Sequence, residues 1–105
     1  MIRVTTLRAT GNAPAGTGPA AGVQAMNEFV AALKKLPGAG NVRWYFGNGG
    51  IVIIGEPESY AVADKILADP AVRAAGAKVF GLGFGIVEDV HLLEPEKALP
   101  FLPQQ

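Results

Sequence analysis

The sequence predicts an α+β domain in which a four-stranded antiparallel sheet carries two helices on one face. Short stretches rich in β-branched residues alternate with period two and predict strands, whereas two longer stretches carry apolar residues three and four apart and predict helices. These segments follow one another in the order β-α-β-β-α-β. The chain has 105 residues, which is the length of one domain.

The first strand is predicted over residues 2–9, where β-branched side chains alternate in direction. Residues 10–18 are rich in Gly, Pro and Thr and predict a loop. The first helix is predicted over residues 19–36. It begins with a proline, carries an apolar stripe at helical spacing and ends before Pro37-Gly38.

The middle of the chain predicts a β-hairpin. Residues 41–47 alternate between two faces, and residues 51–56 are apolar on both faces, which is typical of a strand inside a sheet. Asn48-Gly49-Gly50 is a turn signal between them.

The second helix is predicted to consist of two pieces. Pro57-Glu58-Ser59 begins the first piece. Asp69-Pro70, an N-cap followed by a first-turn proline, restarts the helix as a short piece that is expected to stop at Gly76. Residues 77–83 are then expected to form a connection that leads into the last strand.

The last strand is predicted over residues 84–93. We therefore expect a single domain over residues 1–94 and an irregular, proline-containing C-terminal tail over residues 95–105. The element order is that of the ferredoxin-like fold. In this arrangement both helices cover one face of the sheet, and the other face stays open unless something covers it.

Composition narrows the range of partners. Lys+Arg and Asp+Glu each number 9, so the formal net charge is zero and the basic excess typical of nucleic-acid binders is lacking. The sequence has no cysteine and one histidine, which argues against disulfides, thiolate chemistry and transition-metal sites. No apolar stretch is long enough to span a bilayer. We expect a cytoplasmic protein without cofactor, nucleic acid or membrane partner.

The face assignment of the strands defines the candidate site. Ile2 and Val4 on the first strand, and Val42, Trp44 and Phe46 on the second, are the more apolar sets and are predicted to face the helices. By the same criterion, five residues of the last strand are predicted to face the helices: Phe84, Ile86, Glu88, Val90 and Leu92. The open face then gathers a mixed set: Arg3, Thr5, Leu7, Arg43, Tyr45, Val52, Ile54, Val87, Asp89, His91 and Leu93. Such a mixture fits a ligand pocket or a dimer interface.

One local stretch, LADPAVRAAGAK at residues 67–78, contains an Ala-Asp-Pro-x-Val kink, and the strand after it ends HLLEP at residues 91–95. In these two stretches, and in the order and length of its elements over nearly the whole chain, the protein resembles the dimeric α/β-barrel superfamily. That group includes antibiotic-biosynthesis monooxygenase-like and stress-responsive barrel domains. The resemblance implies a homodimer that pairs its open sheet faces into a barrel, which in relatives holds small aromatic or polyketide-like substrates, or haem in some members.

The polar residues of the predicted open face are the candidate site residues. His91 is the candidate general base, with Asp89 two residues away on the same face. The alternative is a histidine near a strand end that faces solvent or pairs with a carboxylate. Arg43 and Tyr45 share a face and could bind an acidic or phenolic ligand, or pack in an interface. Arg3 could bind substrate or form a cross-strand ion pair with Asp89.

Trp44 is expected in the core beneath a helix, and it becomes a substrate-binding residue if the face assignment is reversed. In the haem-degrading members an Asn, a Trp and a His act together. Here Trp44 and His91 are predicted on opposite faces, so those chemistries do not transfer. Three functions stay open. The first is a cofactor-independent monooxygenase or isomerase acting on a small aromatic or enolisable substrate. The others are a non-catalytic small-ligand or stress-response barrel, and a purely structural dimer module.

Overall fold

The computed structural model describes residues 1–16, 18–47 and 49–103. Its elements follow the predicted order and are, along the chain, β1 (Ile2–Ala9), α1 (Pro19–Lys34), β2 (Val42–Gly47), β3 (Gly50–Gly55), α2 (Tyr60–Ala68), α3 (Pro70–Gly81), β4 (Phe84–Leu92), α4 (Pro95–Ala98) and a 3-10 turn (Leu99–Phe101). Asn48 of the predicted hairpin turn lies outside the described residues.

The four strands form one antiparallel sheet in the order β2-β3-β1-β4. The predicted α+β, ferredoxin-like fold is therefore confirmed. The interior position predicted for the third strand is also confirmed, because β3 lies between β2 and β1. This position pairs both backbone edges of β3 with neighbouring strands. One apolar face of β3, with Ile51 and Ile53, packs in the core, and the other, with Val52 and Ile54, lies on the open side of the sheet.

The break between α2 and α3 occurs where Asp69-Pro70 predicts it. The Asp69 carboxylate accepts hydrogen bonds from the backbone N–H groups of Ala71 (3.0 Å) and Val72 (3.1 Å). It thereby satisfies two of the donors that every helix start leaves unpaired. Pro70 takes the first helical position, where its missing N–H costs nothing.

The expected stop at Gly76 is wrong, because α3 continues to Gly81. Gly76 is buried where α3 packs on the Phe29 ring of α1, and a Cβ atom there would lie 3.3 Å from Phe29 Cε1. The glycine therefore serves close helix packing. The residues that were expected to form a connection are mostly helical. The turn comes instead at Gly83, whose φ of +93° favours glycine.

The tail is not wholly irregular, since it contains α4 and the 3-10 turn. Two large apolar side chains in the turn are well exposed, Leu99 at 60% and Phe101 at 71%. This segment therefore adds little to the core.

The side of β1 that faces the helices is the opposite of the predicted one. Leu7 is 3% exposed and belongs to the core with Met26 of α1 and Ile51 of β3. Since side chains alternate along a strand, Arg3 and Thr5 also face the helices, and Ile2 and Val4 lie on the open face. The face assignment of β1 was wrong because it placed the more apolar set of side chains toward the helices. Both faces of β1 carry apolar residues, so this criterion does not distinguish them.

A β-bulge in β4 reverses the second half of that strand. Leu7 pairs with Ile86, but the neighbouring Thr6 pairs with Glu88, so Val87 is an extra residue on the β4 side. Ile86 and Phe84 face the helices as predicted. After the bulge, Glu88, Val90 and Leu92 turn to the open face, and Asp89 and His91 turn to the helix side. A strict alternation of side chains along the sequence cannot predict this exchange of faces at the bulge.

Candidate functional site

A cavity lies between the sheet and the helices. Its volume is about 370 Å³, within the range of about 300–1,000 Å³ that is usual for small-molecule sites. Strands β1 and β3 and helices α1, α2 and α3 all contribute to its wall. Most of the lining side chains are apolar, among them Met26, Phe29, Ile53, Ile66, Val72, Val79 and Phe80.

Three lining residues bring polar side chains to this wall: Arg3, Thr5 and Arg73. Arg3 and Thr5 stand two residues apart on β1 and thus share a face. Arg73 comes from α3, directly after the buried Val72. The wall therefore includes two arginines and one threonine among otherwise apolar residues.

Arg3 is held by a carboxylate on the neighbouring strand. Its Nε donates to Asp89 Oδ1 at 3.0 Å and its Nη2 donates to Oδ2 at 2.6 Å. The hydroxyl of Thr5 also donates to Asp89 Oδ1, at 3.0 Å. Two parallel hydrogen bonds of this kind fix the plane of a guanidinium group as well as its position.

This contact sets the protonation of Asp89. The hydrogen bond from Arg3 lowers the pKa of Asp89 below its ordinary value, and the Thr5 hydroxyl adds to the lowering, while partial burial opposes it. The carboxylate is then ionised at neutral pH and is a weak base. The geometry matches the cross-strand ion pair that the sequence offers as the alternative for these two residues, and Asp89 has the position of a group that orients Arg3.

His91 lies beside this pair. It is the register partner of Arg3 across β1 and β4, and its ring contacts the edge of Tyr60 at a centroid distance of 5.0 Å. The imidazole is exposed and does not belong to the described lining of the cavity. The structure thus brings together Arg3, Asp89 and His91, as predicted, but on the helix side of the sheet. The catalytic role of His91 stays a prediction.

Arg43 and Tyr45 are separated from that group by the thickness of the sheet. They pair with Ile54 and Val52 on the open face. Arg43 forms an ion pair with Glu56 at 3.3 Å, and Tyr45 is 53% exposed. The expectation that these two residues share one site with Arg3 and His91 is therefore wrong, because the reversal of β1 and β4 moved the other members to the opposite face.

Trp44 faces the helices, as predicted. His91 faces the same side after the bulge, so the expectation that Trp44 and His91 lie on opposite faces of the sheet is wrong. Its Nε1 donates to Asn27 Oδ1 of α1 at 2.9 Å, and its ring meets Phe46 edge to face at 5.1 Å. Neither ring belongs to the described lining of the cavity. The position corresponds to a core aromatic that ties β2 to α1.

Sequence reasoning missed the cavity and, with it, Arg73 and the rings of Phe29 and Phe80. A signal for Arg73 was present in the stretch at residues 67–78, where this arginine follows Val72 at the start of an apolar helix face. Arg73 was not chosen as a candidate because the face assignment placed the site on the side of the sheet away from the helices.

The open face of the sheet is also largely apolar. Its central side chains come from all four strands: Ile2, Val4, Thr6, Tyr45, Val52, Ile54, Val90 and Leu92. Ile2, Tyr45 and Leu92 are each more than 40% exposed. An apolar sheet face of this kind marks a surface that another chain can cover.

Among the described residues, no group of three or more acidic or histidine side chains is arranged to hold a metal ion. Nor does any helix in the described part of the chain have the length and apolar character needed to cross a membrane. The predicted cytoplasmic location stays a prediction.

No protein-family model matches the chain, and no curated protein matches it. Solved structures of similar fold do. SnoaB, described as a cofactor-independent oxygenase from Streptomyces nogalater, superposes with a TM-score of 0.65 at 14% identity, covering 90% of this chain and 95% of SnoaB. A structure described as an antibiotic biosynthesis monooxygenase superposes with a TM-score of 0.65 at 14% identity, covering 90% of this chain and 100% of that one.

A third structure, described as a dimeric ferredoxin-like protein of unknown function from Jannaschia sp. CCS1, gives a TM-score of 0.64 at 16% identity, with 88% of this chain and 100% of that chain covered. The chain thus shares the ferredoxin-like fold of antibiotic biosynthesis monooxygenase-like proteins, as its resemblance implies. At these identities the likeness is one of fold.

Proposed function

We propose that this protein is a cofactor-independent oxygenase that oxidises a small aromatic substrate in the cavity between sheet and helices. The observation that carries the proposal is the cavity itself, an apolar space with an oriented guanidinium in its wall. The fold supports the proposal, because SnoaB, which is described as a cofactor-independent oxygenase, shares it.

The reaction suited to such a site begins at an enolisable CH2 group next to an aromatic ring. Loss of one proton gives an enolate, and the free N–H groups of Arg3 would stabilise its oxygen, since fixed donors favour developing negative charge. The enolate carbon reduces O2 and forms a C–O bond, and the peroxide anion takes up a proton. Loss of water, which removes the second C–H hydrogen, leaves a ketone. In sum, CH2 and O2 become C=O and H2O, and no external reductant is consumed.

His91 is the candidate acceptor of the first proton and the donor of the second. Its side chain is an imidazole, whose two ring nitrogens can accept and donate a proton. It stands opposite Arg3 in the strand register, at the same end of the sheet. Asp89 does not compete for this role, because Arg3 lowers its pKa.

The test is oxygen consumption with anthrone, a tricyclic ketone with one enolisable CH2 group, coupled to chromatography of the quinone product. We expect turnover in the unaltered protein and a loss of about a hundredfold or more in Arg3→Gln, on the scale of one lost donor to a developing charge. Lys78→Gln is the control, because Lys78 is an exposed cation on α3 outside the cavity lining. Equal rates in all three proteins and in buffer would refute the proposal.

A non-catalytic ligand-binding barrel is the second candidate. One observation favours it, namely that no described lining residue of the cavity is a histidine, cysteine or carboxylate. In that case ligand binds and no oxygen is consumed, so a calorimetric titration of the same compound beside the oxygen measurement separates the two functions.

The homodimer belongs to the same proposal. The apolar open face supports pairing with a second copy, and the Jannaschia protein of similar fold is described as dimeric. On this arrangement the cavity lies away from the interface, since the sheet separates the two.

A further inference from the structure

We propose that the cavity selects organic acids, namely molecules with a small apolar ring body and a single carboxylate, which Arg3 and Arg73 bind. The inference rests on the proposed function only in taking the cavity as the substrate site. It goes further by naming the charge of the ligand.

The charged side chains of the described cavity wall are all of one sign. Arg3 and Arg73 are both cationic, and no described lining residue carries a carboxylate. Asp89 stands behind Arg3 and compensates one of the two charges. Arg73 forms no ion pair with any residue in the described ranges. The wall therefore keeps about one net positive charge, which matches one carboxylate and not a dianion.

Arg3 retains donors for a ligand. The contact with Asp89 uses Nε and Nη2, and Nη1 donates to no described residue. A guanidinium has five N–H groups, so one edge can hold the structural carboxylate while the hydrogens of Nη1 bind a second oxygen. The Arg3 side chain is 21% exposed, and a charge interaction in such a partly desolvated place is stronger than one in water.

The rest of the wall determines the body of the ligand. Rings of Phe29 and Phe80 line the cavity together with aliphatic side chains such as Val79 and Ile86. Burial of apolar ligand area against these surfaces is favourable, and they offer few hydrogen-bond partners to a hydroxyl-rich molecule. The volume of about 370 Å³ lies near the lower end of the usual range, which favours a small ring system.

The experiment compares 2-naphthoate with 2-naphthylmethanol, two ligands that share a ring system and differ in charge, by calorimetric titration at pH 7. We expect the acid to bind at least about tenfold more tightly, the ratio expected for a charge-assisted hydrogen bond. Arg73→Gln should remove most of this preference and leave the affinity for the alcohol unchanged. Lys78→Gln, which alters an exposed cation of the same helix, should leave both affinities unchanged.

Equal affinities for acid and alcohol would overturn the inference, as would failure of both probes to bind. A parallel loss of both affinities in Arg73→Gln would overturn the role of that residue. The outcome is independent of turnover. A preference for the acid without oxygen consumption refutes the oxygenase and leaves this inference standing, whereas anthrone oxidation without acid preference does the reverse.

Discussion

Arg3 donates two hydrogen bonds to the carboxylate of Asp89, and this contact joins β1 to β4 at the wall of the cavity. The same contact does two things. It fixes the plane of the guanidinium of Arg3, a residue that lines the cavity, and it keeps Asp89 ionised. Both effects come from one cross-strand pair on the helix side of the sheet, although the side chains involved are only partly buried.

The stability of the protein should depend on pH through Asp89. A carboxyl group whose pKa is lowered by folding stabilises the native state fully above its unfolded pKa of about 3.9, and this contribution is lost as the pH falls through the lower, folded pKa. We expect Asp89→Asn to cost about 1–2 kcal/mol at pH 7, below the about 1.5–3 kcal/mol typical of hydrogen bonds to charged groups, because solvent screens a partly exposed pair. Urea unfolding at pH 7 and pH 3 measures the free energy.

The difference between Asp89→Asn and the unaltered protein should shrink at pH 3. Glu96→Gln, at an exposed position of α4 away from the open face, is the control, and its effect on the free energy of unfolding should be the same at both pH values. A cost that is the same at both pH values would mean that Asp89 acts through packing and not through its charge.

The crossing of α1 and α3 should not tolerate a side chain at position 76. A Cβ at Gly76 would already lie 3.3 Å from the Phe29 ring, so Gly76→Leu should destabilise the protein by about 1–3 kcal/mol, as overpacking of a core does. Gly81→Leu is the matched control in the same helix, because no atom lies within 4 Å of its added Cβ. Thermal unfolding compares the two, and equal stabilities would show that α1 and α3 do not pack closely here.

The N-cap of α3 should carry a measurable part of the stability. Asp69→Ala removes the acceptor for the N–H groups of Ala71 and Val72, and we expect a loss of about 1 kcal/mol. Asp64→Ala, at an exposed position within α2, should be neutral. Urea midpoints at constant slope give the comparison. If both variants are equally stable, the hydrogen bonds from α3 to Asp69 contribute nothing net.

The open face should determine the oligomeric state. Val4 and Ile54 are direct neighbours in the register of β1 and β3, at the centre of that face. Val4→Glu places a charge there, so we expect light scattering to give twice the chain mass for the unaltered protein and the single chain mass for the variant. Ala74→Glu, on the exposed side of α3, should leave the dimer intact. A monomeric unaltered protein would exclude face-to-face pairing.

Local chemistry in the sequence was enough to predict the fold. Alternating β-branched stretches, the stripe that begins at Pro19, and the N-cap and proline at Asp69-Pro70 each act over a few residues, and each formed the predicted element. Their order leaves few ways to build a sheet with helices on one side. The wrong helix end predicted at Gly76 could not be corrected from neighbouring residues. That glycine is explained by its packing against the Phe29 ring, which belongs to α1, a helix distant in sequence.

The site depended on tertiary structure. The sequence by itself determined the element order, the interior strand and the residues that cluster, namely Arg3, Asp89 and His91. Which side of the sheet they face was decided by the core around Leu7 and by the bulge at Val87. Slipping a strand by one residue exchanges its two faces, and only packing against the helices distinguishes two faces that are both apolar.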